Sequence, residues 1–230
     1  MKTIGIIGAM DIEIQRIKSM LNVVTTKTAA GMDFTVGLLE GKSVVAAMCG
    51  VGKVNAAVCT QIMIDMFAVD CIINVGVAGG LAPGLEIGDI VISTDAIQHD
   101  MNVEGLGYPK GVIPDMESSV FKADPYLTEK AENALATCGL KGIKGRIAAG
   151  DVFVCDQALK DSIIKDFGGA CCEMEGGAIA QTCVLNKIPF VIIRAISDSA
   201  DDSGSMDYPA FKKLAAANSE RIVHHMIKNI

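Results

Sequence analysis

Three carboxylates and one arginine stand where solvent exposure would not place them, and together they suit acid–base work on a small polar molecule. Stepped at about 100° per residue along 10–21, Ile14, Ile17, Met20 and Leu21 form an apolar stripe. Glu13 lies inside it, while Asp11, Gln15, Arg16, Lys18 and Ser19 take the other side. A carboxylate on a buried face is costly unless it is paired or used; support from the helix N-terminus alone also fits. In Cys171-Cys172-Glu173-Met174-Glu175 a short extended run meets a helix whose inner face is Glu175, Ala178, Ile179 and Thr182. Two acids alternating around Met174 can accept both hydroxyls of a sugar, although capping of the helix start also accounts for Glu175. Within Phe190–Asp198, Arg194 interrupts an apolar run and needs an anion. Asp198 closes that run, at the strand end where α/β proteins carry their reactive groups; a loop-capping Asp fits the same position.

The elements that must hold these groups are strands buried on both faces. Val44–Met48, Ile72–Val77, Asp89–Ser93 and Phe190–Ile196 are nearly continuous apolar runs, the pattern of a largely parallel sheet rather than a half-solvated one. Helical periodicity fills intervals near 10–21, 53–67, 126–138, 156–167, 175–186 and 207–228. Strands alternating with helices predict an α/β fold, one domain over 1–230 with a central mixed, largely parallel, twisted β-sheet flanked by helices. Many of the 24 glycines follow strand runs directly, as in Gly5-Ile6-Ile7-Gly8 and Gly76-Val77-Ala78-Gly79-Gly80, so the strands end in tight loops. Residues 99–124 read as a long irregular stretch, and such a loop in a compact domain usually belongs to a site or an interface.

Composition removes several function classes. No apolar run reaches the ~18 residues of a membrane span, and the apolar start from Thr3 to Met10 is too short for a secretory signal; a cytoplasmic protein is expected. The net charge of −7, from 20 Lys+Arg against 27 Asp+Glu with no basic cluster, speaks against nucleic acid. The eight cysteines include no CxxC pair and the histidines fall only at 99, 224 and 225, so no metal site is expected. Gly50-Val51-Gly52-Lys53-Val54 misses the phosphate-loop spacing, the glycine pairs miss the dinucleotide fingerprint, and no GxSxG elbow occurs. No cofactor is implied, and the chemistry falls to carboxylates.

The motifs follow one another in a recognisable order. Gly5-Ile6-Ile7-Gly8-Ala9-Met10 with Glu13 comes first, then Gly50-Val51-Gly52-Lys53-Val54-Asn55-Ala56-Ala57 and Asn74-Val75-Gly76-Val77-Ala78-Gly79-Gly80. Gly88-Asp89-Ile90-Val91, Gly150-Asp151, Glu173-Met174-Glu175 and Arg194-Ala195-Ile196-Ser197-Asp198 complete the series. Over essentially its whole length the chain closely resembles the bacterial 5′-methylthioadenosine/S-adenosylhomocysteine nucleosidases of the nucleoside phosphorylase superfamily.

The resemblance implies hydrolysis of the N-glycosidic bond of adenine thionucleosides to adenine and a 5-thioribose, as in methionine salvage, with water as nucleophile and neither metal nor cofactor. 5′-Deoxyadenosine is a further candidate substrate. By position Asp198 corresponds to the general acid to adenine N7 and Ser197 to the neighbour that orients it. Glu13 corresponds to the base that binds the water, Glu175 to the carboxylate on the ribose hydroxyls, and Arg194 to the group that orients Glu175 and the water. Substrate contacts are implied for Met10, Val51, Val77, Ala78, Gly79, Phe153, Val154, Glu173, Met174 and Tyr208. Phe153 would stack on adenine and the Val154 backbone would bond to it. Leu106 and Pro114 would reach the thioalkyl pocket from the second subunit of a homodimer. Without the resemblance, Phe153 equally suits the core, and Tyr208 suits a helix stripe continued by Phe211 and Leu214. Val77 stands where many relatives carry Ser, and Val51 and Leu106 are aliphatic variations of the thioalkyl pocket.

Two readings compete on the same fold. A purine nucleoside phosphorylase needs several cations for its phosphate, whereas the four arginines, at 16, 146, 194 and 221, lie outside the glycine loops. An aminodeoxyfutalosine nucleosidase would run the same hydrolysis on another adenine nucleoside. A non-catalytic binding protein would have no use for three buried acids.

Overall fold

The computed structural model describes residues 3–201 and 203–230. Along the chain run β1 (Thr3–Gly8), α1 (Asp11–Met20), β2 (Asn22–Ala29), β3 (Met32–Leu39), β4 (Lys42–Met48), α2 (Lys53–Phe67), β5 (Cys71–Gly80) and β6 (Ile90–Gln98). There follow β7 (Phe121–Lys122), α3 (Pro125–Cys138), β8 (Gly142–Ala149), α4 (Gln157–Phe167), β9 (Cys171–Glu173), α5 (Gly176–Asn186), β10 (Phe190–Asp198) and α6 (Gly204–Asn229). The stretch from His99 to Asp124 holds only a 3-10 turn at Glu104–Leu106 and the two residues of β7.

All the strands join one mixed sheet. Its middle is parallel: β4 pairs with β1, β1 with β5, and β5 with β10. Beyond β4 the sheet is extended by the antiparallel β2–β3 hairpin. On the other side it curls back, with β10 antiparallel to β6, β6 parallel to β8, β8 parallel to β9, and β9 antiparallel to β5. Those five strands therefore close a ring in which no edge is left open. The ring explains why β5 and β10 are buried at every residue, and hence why their sequences are nearly continuous apolar runs.

Helices cover both faces. One layer joins Ile4, Ile6, Ile73 and Val75 of the sheet to Ile14 and Ile17 of α1 and to Ile222 and Val223 of α6. The other joins Ile7, Val45 and Ile72 to Cys59 and Met63 of α2 and to Ile179 and Cys183 of α5. Six cysteines are buried free thiols, acting here as small apolar side chains. β2 and β3 are absent from the strands read in the sequence because β2 exposes all but its last residue, so it carries no inside–outside alternation. Ile73 lies between Ile6 and Val191 in the parallel middle of the sheet. Ile73→Ala should lower unfolding free energy in urea by about 2–5 kcal/mol; a loss below about 1 kcal/mol would contradict a continuous two-sided core.

Candidate active site

The C-terminal ends of β1, β5, β9 and β10 and the loops after β4 and β8 converge on one cleft. Met10, Glu13, Val51, Val77, Ala78, Gly79, Phe153, Glu173, Met174, Glu175, Ser197, Asp198 and Tyr208 line it, together with Ala9 and Cys172. Val154 lines a narrower recess shared with Gly79, Phe153, Met174 and Asp198. Every site residue expected from one chain is thus brought together, except that Arg194 lies buried behind the wall. Leu106, 74% exposed, and Pro114 line neither hollow within this chain.

Glu13 does both things its sequence position allowed. Its Oε2 accepts from the backbone N–H of Ala9 at 2.8 Å and of Met10 at 2.9 Å, satisfying the start of α1. Its Oε1 accepts from the Val77 N–H at 3.0 Å, which pins the carboxylate against the end of β5. A Cβ at Gly76 would stand 2.7 Å from that Oε1 and 3.1 Å from Arg194 Nη1, so the strand admits the acid only because residue 76 has no side chain. Burial raises the Glu13 pKa, and Arg194 with the three N–H donors pulls against that rise without cancelling it.

Around Arg194 the two acids of the Glu173-Met174-Glu175 run divide their work in a way the sequence did not predict. Glu173, rather than Glu175, caps α5, accepting from Glu175 N at 3.1 Å and from Gly176 N at 2.7 and 2.9 Å. Glu173 is also the direct partner of Arg194, whose Nη2 donates to it at 2.5 Å and to Asn74 Oδ1 at 2.5 Å. Glu175 Oε2 lies 4.0 Å from the guanidinium, and its Oε1 accepts the Gly52 N–H at 2.9 Å. Arg194 therefore holds Glu175 by charge rather than by a direct hydrogen bond, while Glu173 lines the cleft with most of its bonds on Oε2, to α5 and to Arg194. Burial opposes the charge on Arg194, but Glu173, Glu175 and Glu13 outweigh it and hold its pKa above the ordinary value. Burial, reinforced by Glu173, pushes Glu175 up to about 8. One cation faces three acids, and of the three Glu175 is the one that burial and the Glu173 charge move towards its neutral form.

Asp198 ends β10 with its carboxyl 2% exposed as part of the residue. Oδ1 accepts from the Ala200 N–H at 2.9 Å and Oδ2 from the Ser197 hydroxyl at 2.9 Å. It caps its loop and faces the cleft at once. Burial raises its pKa against those two donors. Phe153 is 42% exposed, not core, and meets Tyr208 edge-on with centroids 5.5 Å apart at 67°. The Tyr208 hydroxyl reaches Met10 Sδ at 3.1 Å; Tyr208 lies half-buried between the cleft and the core it packs against, while Phe211 and Leu214 of the same stripe are exposed. Asn74, Ala9 and Cys172 were not foreseen. For Asn74 a signal existed, a lone amide inside an apolar strand: it joins Arg194 to the Ile7 carbonyl through an Nδ2 bond of 2.9 Å.

The model of the phosphorylase superfamily matches residues 3–228, which defines the class to which this sheet and cleft belong. The curated 5′-methylthioadenosine/S-adenosylhomocysteine nucleosidase of Shewanella loihica is 40% identical over 229 residues, 99% of either chain. The enzyme of the same description from Neisseria meningitidis, solved in complex with methylthio-immucillin-A, superposes with a TM-score of 0.97 at 42% identity over 100% of both chains. Futalosine hydrolase of Helicobacter pylori superposes with a TM-score of 0.95 at 30% identity, over 100% of this chain and 98% of that one. The chain belongs to the 5′-methylthioadenosine/S-adenosylhomocysteine nucleosidase family.

The raised Glu175 pKa has a stability consequence of definite sign. The folded state prefers the neutral carboxyl, so its contribution is full below the ordinary 4.5 and is lost as pH rises through about 8. Glu175→Gln removes the titration. Its Tm relative to the parent chain should rise by at least about 3 °C, roughly 1 kcal/mol, between pH 5 and pH 9, and a difference independent of pH would contradict the assignment.

Proposed function

We propose that this chain hydrolyses the N-glycosidic bond of 5′-methylthioadenosine and S-adenosylhomocysteine, releasing adenine and the 5-thioribose. The observation that carries the reading is the meeting, in one apolar cleft, of three differently held acids. Glu13 is gripped by three N–H groups, Asp198 is buried beside a hydroxyl, and Glu175 is poised between charge states. As the C1′–N9 bond breaks, its electron pair moves to the base, and Asp198 gives its proton to adenine N7. Water adds to C1′ and Glu13 takes a proton from it. Glu175 accepts from the ribose hydroxyls; its ionised form, reached by loss of its proton to solvent as substrate binds, faces the positive charge that develops on the ribose and is reprotonated from solvent after products leave. Solvent then returns a proton to Asp198 and removes one from Glu13. Phe153 offers its exposed ring face to adenine beside the Val154 backbone. Met10, Val51, Met174 and Tyr208 supply apolar surface for the alkylthio group.

Water is favoured over phosphate because cations are lacking. Arg194 is committed to Glu173 and Asn74, Arg146 to Asp95 at 2.5 Å and Arg221 to the Cys138 carbonyl, while Arg16 is exposed on α1. A cytoplasmic setting accords with eight free cysteines. The homodimer reading draws support from the exposed apolar side chains of Val51 at the cleft, Val54 in the first turn of α2 and Leu106 in the long loop after β6. In that dimer Leu106 and Pro114 complete the thioalkyl pocket of the partner.

Incubation with methylthioadenosine in phosphate-free buffer should release free adenine, faster than 6-amino-6-deoxyfutalosine is cleaved; the reverse preference would move the chain to the other hydrolase. Asp198→Asn should fold normally and lose roughly 10²–10⁴ in kcat/KM. Because the acid must be protonated, the parent kcat/KM should fall as pH rises through the elevated Asp198 pKa. Unchanged activity in the variant would refute the proton donor. Leu106→Asp should give monomers by light scattering and a raised KM; dimers with unaltered KM would refute the shared pocket.

A further inference from the structure

Outside the cleft a closed polar cycle joins three loops. Lys53, the first residue of α2, places Nζ 2.7 Å from Asp100 Oδ1 and 3.0 Å from Gln98 Oε1. Asp100, just past β6, uses Oδ2 to accept the Asp151 N–H at 2.9 Å. Asp151, just past β8, returns the link by accepting the Lys53 N–H on Oδ1 at 2.8 Å. Gly52, next to Lys53, has φ +98°, a conformation glycine alone adopts freely, and its N–H is the donor to Glu175 Oε1 at 2.9 Å.

None of Lys53, Asp100 or Asp151 lines the cleft. The Lys53 and Asp100 side chains are partly exposed, at 20% and 25%, and such ion pairs add about 0–1 kcal/mol to stability. Stability alone is a poor reason for a cycle that uses both oxygens of Asp100, a side chain and two backbone donors. Its geometrical effect is specific: it holds the Gly52–Lys53 peptide, directly after the one that presents the Gly52 N–H to Glu175. Burial would raise the Asp100 pKa, but Lys53 and the Asp151 N–H outweigh it and keep the carboxyl below its ordinary range.

We propose that Asp100 is a positioning residue for the reaction, clamping Lys53 and Asp151 so that the Gly52 N–H stays aimed at Glu175. This rests on the hydrolytic reading above. The clamp acts on Glu175 through two intervening residues, so its removal should appear in the chemical step and depend on the Glu175 carboxylate.

The test is single-turnover release of adenine from methylthioadenosine by the parent chain, Asp100→Ala, Glu175→Gln and the double variant. Asp100→Ala should lower the single-turnover rate about tenfold. In the Glu175→Gln background the same change should cost less than about threefold, because linked residues are not additive. An unchanged rate, or an equal fold-loss in both backgrounds, would overturn the clamp, the second result marking a general structural role. If Asp100→Ala does not fold, Asp100→Asn replaces it in the same cycle, since it keeps an acceptor for Asp151 while removing the ion pair. An inactive parent chain would overturn the hydrolytic reading and the clamp with it, whereas an active parent with an unaltered variant overturns the clamp alone.

Discussion

The site depends on one buried guanidinium. Arg194 sits in the closed part of the sheet, and a cation there is sustained only by nearby anions and hydrogen-bond acceptors. Glu173 and Asn74 meet its Nη2 directly, while Glu175 and Glu13 act through the field. Burial drives the Glu13 and Glu175 pKa values up, and the Glu173 charge adds to the rise at Glu175. Three acids around one cation suit a reaction in which positive charge develops on a sugar. Preorganised negative charge of this kind stabilises a cationic sugar as it forms.

The fold makes this cluster possible by closure. Ring formation by β5, β10, β6, β8 and β9 brings the ends of β5, β9 and β10 together, so that Val77, Glu173 and Asp198 face one space. Backbone donors then do most of the holding. Glu13 is fixed by three N–H groups, Glu175 by one and Asp198 by one plus a neighbouring hydroxyl. Groups held by the main chain of rigid strand ends need little reorganisation when charge moves, which is the advantage of a preorganised site.

Much of this was legible in the sequence because burial leaves a periodic record. Continuous apolar runs marked the strands of the parallel middle, and an acid on an apolar helix stripe marked Glu13. Arg194 betrayed itself as a charge inside a strand. What stayed hidden depends on contacts between distant segments. β2 is solvated along nearly its whole length and so has no pattern. Which acid of Glu173-Met174-Glu175 caps α5 is decided by the local turn and by where Arg194 reaches, not by spacing. Asn74 and the Lys53–Asp100–Asp151 cycle join residues far apart in the chain, and single-sequence periodicity carries no information about such pairs. Glu13 and Asp198 also show that capping and facing the cleft are not exclusive, since each does both.

Burial beside the Glu173 charge should keep a proton on Glu175 at neutral pH. Nuclear magnetic resonance of isotope-labelled glutamate carboxyl carbons tests it directly, with Glu175→Gln identifying the resonance. This resonance should titrate near pH 8 and be that of a carboxylic acid at neutral pH. A resonance titrating at the ordinary value near 4.5 would contradict it.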